Sequence, residues 1–255
     1  MTSVVFIHGL WIHSSSWQPW QDLFTANGYQ THAPGWPGDA STVAATRAAP
    51  DALNGIGVDE ITGFYADLIA ALPERPIVIG HSFGGLIAQK LLAAGLAEAA
   101  VAISPAPVKG IRALPFSQLR SSFPVLSNPG NKARTVSLTP KQFGYAFGNT
   151  LSPAESTALF DRWTIPGPGL PLFQAATANF TRDAPTAVDT THTDRGPLLL
   201  IAAGQDHTVP ASVVTAAHRL YRNAELRTYA DRGHSAPFDH GWREIADDTL
   251  IWLNR

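Results

Sequence analysis

The 255-residue chain has no cysteine. That excludes a disulfide framework, a thiolate nucleophile and any cysteine-based zinc or iron–sulfur site. Charge is scarce too: charged residues make up 15% of the chain, against about 25% in ordinary soluble domains. Lys plus Arg number 18 and Asp plus Glu 20, for a formal net charge of −2. So neutral a chain is not expected to work on nucleic acid. Its 45% hydrophobic content excludes disorder. No apolar run approaches the roughly 20 residues of a membrane span. The longest mostly apolar stretch, Leu91 to Val108, contains Gly95, Glu98, Pro105 and Pro107 and reads as a helix end followed by a strand. Met1 to Gly9 has neither a basic n-region nor a small-residue cleavage site, so it is not read as a signal peptide. A Walker A loop, a His-Glu-x-x-His helix and a dinucleotide fingerprint are all missing, and the nine histidines are scattered. The expectation is a soluble cytoplasmic protein with a small-molecule partner, no nucleic acid, no membrane span, and neither metal nor cofactor.

What is present is an alternation of short apolar runs and helical patterns. Val4 to Ile7, Ile77 to Ile79, Ala100 to Ile103 and Leu198 to Ala202 lack polar breaks, as strands buried on both faces do. Gln30 to Ala33 and Leu226 to Tyr229 complete a sheet of about six strands. Helical spacing spans Trp17 to Asn27, Val58 to Leu72, Leu86 to Ala94, Ala211 to Tyr221 and Trp242 to Leu253. Such alternation predicts an α/β fold: a mostly parallel sheet with helices on both faces. Residues 105–196 break the rhythm with dense Pro and Gly. Helical pieces are predicted there at Phe116 to Phe123, Pro140 to Phe147, Pro153 to Trp163 and Leu172 to Asn179. Ser152 with Glu155 fits a capping box. The expected division is a core of residues 1–104 and 197–255, interrupted by a helical cap, residues 105–196.

One segment carries the strongest chemical signal. Gly80-His81-Ser82-Phe83-Gly84-Gly85 stands between a predicted strand and a predicted helix, where Gly-x-Ser-x-Gly makes a sharp turn that presents the serine hydroxyl. A hydroxyl needs a base, and the base an orienting group. In this architecture the chain order is Ser, acid, His. Asp206 follows the Leu198 to Ala202 strand, and His234 follows the last strand behind Gly233. His240, Asp231 and His207 are the nearby competitors; earlier sequence position and the preceding Gly favour His234. His8-Gly9 follows the first strand. A turn there offers a backbone N–H for an oxyanion, from Leu10 or alternatively Trp11, to pair with that of Phe83.

Together, Gly80 to Gly84, Asp206, His234 and His8-Gly9 resemble the α/β-hydrolase fold family, and more closely its cap-bearing serine esterase and lipase-like branch. Pro34 to Gly38 resembles that family's loop after its second core strand here. The resemblance covers residues 1–104 and 197–255. It implies a carboxylesterase with Ser82, Asp206 and His234 catalytic, Leu10 and Phe83 forming the oxyanion hole, and residues 105–196 forming a lid. The chain begins at the strand that bears His8-Gly9, so the family's N-terminal hairpin is expected to be absent. Relatives that open epoxides or cleave carbon–halogen bonds carry Asp at the elbow, which Ser82 argues against. Lactones, thioesters, carbon–carbon bonds and cyanohydrins remain alternatives on the same residues, as does a small-molecule receptor.

Seven of the twelve Phe lie in residues 105–196, and Trp11 lies beside the expected oxyanion hole. An apolar ester pocket touched by Trp11 is expected. Residues 99–154 carry Lys109, Arg112, Arg120, Lys132, Arg134 and Lys141 but no acid. That is read as a solvated basic lid, or as one that attracts an anionic substrate.

Overall fold

The computed structural model describes residues 1–255. From the N-terminus it runs β1 (Ser3–Ile7), α1 (Gln18–Ala26), β2 (Gln30–His32), α2 (Val43–Ala48), α3 (Val58–Ala70), β3 (Ile77–His81), α4 (Phe83–Ala93) and β4 (Ala99–Ile103). Then come α5 (Phe116–Leu126), β5 (Thr135–Val136), α6 (Pro140–Ala146), α7 (Pro153–Trp163), β6 (Gly167–Pro168) and α8 (Leu170–Thr177). β7 (Leu198–Ala203), α9 (Ala211–His218), β8 (Ala224–Tyr229) and α10 (Trp242–Leu253) close the chain.

Side chains alternate across a strand, and β1 uses both faces. Val4 and Phe6 pack with Trp20 and Phe24 of α1 and with Ile245 and Leu250 of α10. Val5 and Ile7 face the opposite layer, with Ile61 and Tyr65 of α3 and Leu86 of α4. Apolar residues on both faces explain why these strands read as unbroken runs. The six strands order as β2-β1-β3-β4-β7-β8, every pairing parallel. Register places Ile7 beside Gly80 and His81 beside Ile103, so the residues after β1, β3 and β4 emerge at one edge. The strand order reverses around β1, which opens a crevice at that edge.

Between β4 and β7 the chain leaves the sheet and builds α5 to α8 with the antiparallel β5–β6 pair. Arg47 of α2 ties this segment down, donating to the carbonyls of Phe160, Asp161 and Thr164 at the end of α7. There it also opposes the negative end of the helix dipole. Ile12 bridges Thr164 from the other side.

Two local expectations change. α4 starts at Phe83 rather than Leu86 because the helix begins directly on the elbow; its Gly pair reads as turn in sequence but is required by close packing. Ser152 caps α7 through the Glu155 amide, yet the Glu155 carboxylate turns away to the His240 amide and ring, so no capping box closes. No helix is long and apolar enough to cross a membrane.

Candidate active site

Ser82 joins β3 to α4 at φ +54°, ψ −119°, a left-handed conformation that costs a non-glycine residue about 1–3 kcal/mol. The surroundings hold it there. Its amide donates to Ile103 O at 3.0 Å, and its carbonyl accepts from Ala106 N at 2.9 Å. Glycines permit the fit: a Cβ on Gly80 would lie 2.0 Å from Gly84 O, and one on Gly84 would lie 2.2 Å from Ile7 O. Gly9 leaves only 2.8 Å between an added Cβ and the Ser82 Cβ. As the first residue of α4, Phe83 has an amide with no acceptor within its helix. The Leu10 amide, in the turn after β1, makes no backbone hydrogen bond.

Asp206 follows β7. One oxygen, Oδ1, accepts the Thr208 and Val209 amides, each at 2.7 Å. The other, Oδ2, lies 2.6 Å from His234 Nδ1. A carboxylate can only accept, so the ring proton sits on Nδ1 and the Nε2 lone pair is free. Nε2 is buried without a hydrogen-bond partner, so no hydrogen bond joins it to Ser82 Oγ. Such bonds are often loose before substrate binds. The Asp206 turn is locked to the His234 loop: Gly204 N donates to Tyr229 O and Gln205 N to Arg232 O. Within the loop, the buried Asp239 accepts from Arg232, Ser235 Oγ and Gly241 N, and burial pushes its carboxyl above the usual range.

Ser82, Asp206 and His234 are all buried; Asp206 and His234 are in contact, and the His234 ring lies 4.6 Å from that of His81, the residue before Ser82. The competitors lie elsewhere. His240 is exposed and holds Glu155. His207 Nδ1 meets Tyr145 O and its ring lies on Tyr145, while Asp231 is exposed. Trp11, at φ +68°, gives its indole N–H to Val136 O of β5, and its carbonyl accepts from Ile165 N. It is thus a strut between the β1 turn and the segment above.

Three partners of the site carry weak sequence signals. Phe147, after α6, stands edge-on to the His234 ring at 4.9 Å. His81 lies on the same ring at 4.6 Å. Burial, and next the neighbouring His234, hold the His81 pKa well below the usual histidine value. Asp39 Oδ2 lies 3.1 Å from His8 Nε2 and accepts the Trp36 amide, fixing the Pro34 to Gly38 turn beside the stacked His8 and Trp36 rings. A lone Asp in a Gly-rich loop gives no pattern, and Phe147 sits among many cap aromatics.

The family model described as the alpha/beta hydrolase family matches residues 4–248. The chain belongs to the α/β-hydrolase family. Solved α/β-hydrolase structures of this shape include a methylesterase from Arabidopsis, at 15% identity and a TM-score of 0.68, covering 100% of this chain and 99% of that one. An extracellular α/β-hydrolase from a Paenibacillus species aligns at 18% identity and 0.70, covering 98% of each chain. A pyrethroid hydrolase from Sphingobium faniae aligns at 17% and 0.66, covering 99% and 97%. At such identities the likeness is one of fold. Among the curated proteins, none matches this α/β-hydrolase.

Proposed function

We propose that this α/β-hydrolase is a serine esterase that cleaves carboxylic esters with a largely apolar acyl or alcohol part. The buried 2.6 Å contact of Asp206 with His234, whose ring lies against His81 next to the strained Ser82, carries this reading. Ser82 Oγ attacks the ester carbonyl while His234 Nε2 takes its proton. Asp206 holds the ring tautomer and stabilises the imidazolium. The Leu10 and Phe83 amides receive the developing oxyanion; one such donor is typically worth about 100- to 1000-fold in rate. His234 returns the proton to the leaving alcohol, then activates the water that clears the acyl-enzyme.

Residues 105–196 act as the lid. Trp11, Phe143, Phe147 and Phe238 are buried around the site, an apolar roof that suits apolar esters. Proteins of this shape include a methylesterase and a pyrethroid hydrolase, which supports a hydrolytic reaction here. The test is a panel of p-nitrophenyl esters of increasing acyl length. Turnover is expected in the wild type and abolished in Ser82→Ala; activity that persists in the variant overturns the assignment.

A further inference from the structure

α5 is amphipathic in the wrong sense for a core helix. An ordinary surface helix turns its apolar stripe inward. Here the buried residues are Ser121, Ser122 and Val125, while Phe116, Leu119 and Phe123 face solvent. Their spacing of three and four puts them on one stripe of the helix. Phe116 is 77% exposed and Phe123 67%. Leu114, just before the helix, is exposed as well. Phe180 is 93% exposed, and its neighbour Asn179 bonds both Gly110 N and Ile111 O, which brings it to the chain that leads into α5. The inward side of α5 is spoken for: Ser121 Oγ donates to His207 O beside Asp206.

Charge surrounds this stripe with one sign. Residues 99–154 hold six basic side chains and no acid. Arg112, Arg120, Lys132, Arg134 and Lys141 are exposed, and none forms an ion pair with a carboxylate. Arg112 precedes the N-terminal end of the stripe. Arg120 follows Leu119 and lies over the Tyr145 ring. Lys132 belongs to the turn that Asn131 ties to Pro124 and Val125 at the other end. The nearest acid in sequence to Phe180 is Asp183, which Arg182 precedes.

We propose that the α5 face docks on an anionic lipid surface, with Phe116, Leu119 and Phe123 entering the headgroup boundary and the flanking cations meeting lipid phosphates. Apolar side chains with basic flanks are what such an interface selects. A second copy of the chain would set the same unpaired cations against each other, which disfavours self-association through this face. The proposal does not depend on the catalytic reading, since binding is measured without turnover.

The experiment is co-sedimentation of the intact protein with vesicles of phosphatidylcholine alone or mixed with phosphatidylglycerol. Binding is expected only to the mixed vesicles and should weaken with added salt. Phe116→Ser/Phe123→Ser should lower it at least about tenfold, and Arg112→Gln/Lys132→Gln by about tenfold with a shallower salt dependence. All variants should keep the wild-type circular dichroism and melting transition. Failure to bind either vesicle, or equal binding to both, overturns the proposal. So does concentration-dependent dimerisation of the wild type that Phe116→Ser/Phe123→Ser abolishes.

Discussion

Phe147 meets the His234 ring edge-on, with centroids 4.9 Å apart and planes at 63°. Its other face stacks on Phe143 at 5.0 Å. The base is thus covered by a side chain of the segment between β4 and β7. Phe147→Ala should cost about 3–5 kcal/mol of stability, as large-to-small changes in packed interiors do. It should also raise kcat/KM for long-chain esters relative to acetate. Thermal melts and the p-nitrophenyl ester panel check both; an unchanged chain-length profile would remove Phe147 from the substrate path.

Asp206→Asn should leave the fold in place, since an amide oxygen still accepts from Thr208 and Val209. The wrong ring tautomer of His234 is then favoured. The expected outcome is a loss of about 10⁴-fold in kcat with KM little changed. Steady-state kinetics read it directly.

The glycines divide by their surroundings. Gly80→Ala and Gly84→Ala drive a Cβ into backbone atoms and should prevent folding or cost more than about 4 kcal/mol. Gly63 sits in α3 with open space around it, so Gly63→Ala should stabilise by about 0.5–1 kcal/mol. Denaturant midpoints distinguish the two cases.

His81 supplies a pH dependence. Burial, then repulsion from His234, lowers its folded-state pKa below the unfolded value near 6.5. Below that pH the unfolded chain binds a proton that the folded one refuses. Stability should therefore fall as pH drops through 6.5, by up to about 1.4 kcal/mol per pH unit for this group. A His81→Asn variant should lose that slope, measured by urea unfolding from pH 7 to about 5.

Much of this was readable in the chain, for physical reasons. β-branched runs such as Val4 to Ile7 mark buried parallel strands whatever lies around them, and the elbow pattern Gly80 to Gly84 is short enough to read directly, although Gly84 is also required by the close approach of Ile7 in β1. Asp206 and His234 were legible by order after β7 and β8, and the structure brings them within hydrogen-bond distance. Tertiary contacts were not legible. Arg47 on the end of α7, Asp39 beside His8 and Phe147 over His234 depend on partners far away in sequence. The helix pattern at Phe116 was clear, yet its direction was not: periodicity locates an apolar stripe without saying which side faces inward. The basic residues of 99–154 likewise proved largely solvent-facing.

The deciding measurement mixes the protein with an excess of a p-nitrophenyl ester, follows the pre-steady state, and maps the acylated peptide by mass spectrometry after a rapid acid quench. The assignment of Ser82 as nucleophile predicts a burst of p-nitrophenol stoichiometric with protein and the acyl group on Ser82, both absent from Ser82→Ala. An acyl group on another residue, or undiminished turnover in Ser82→Ala, would contradict it.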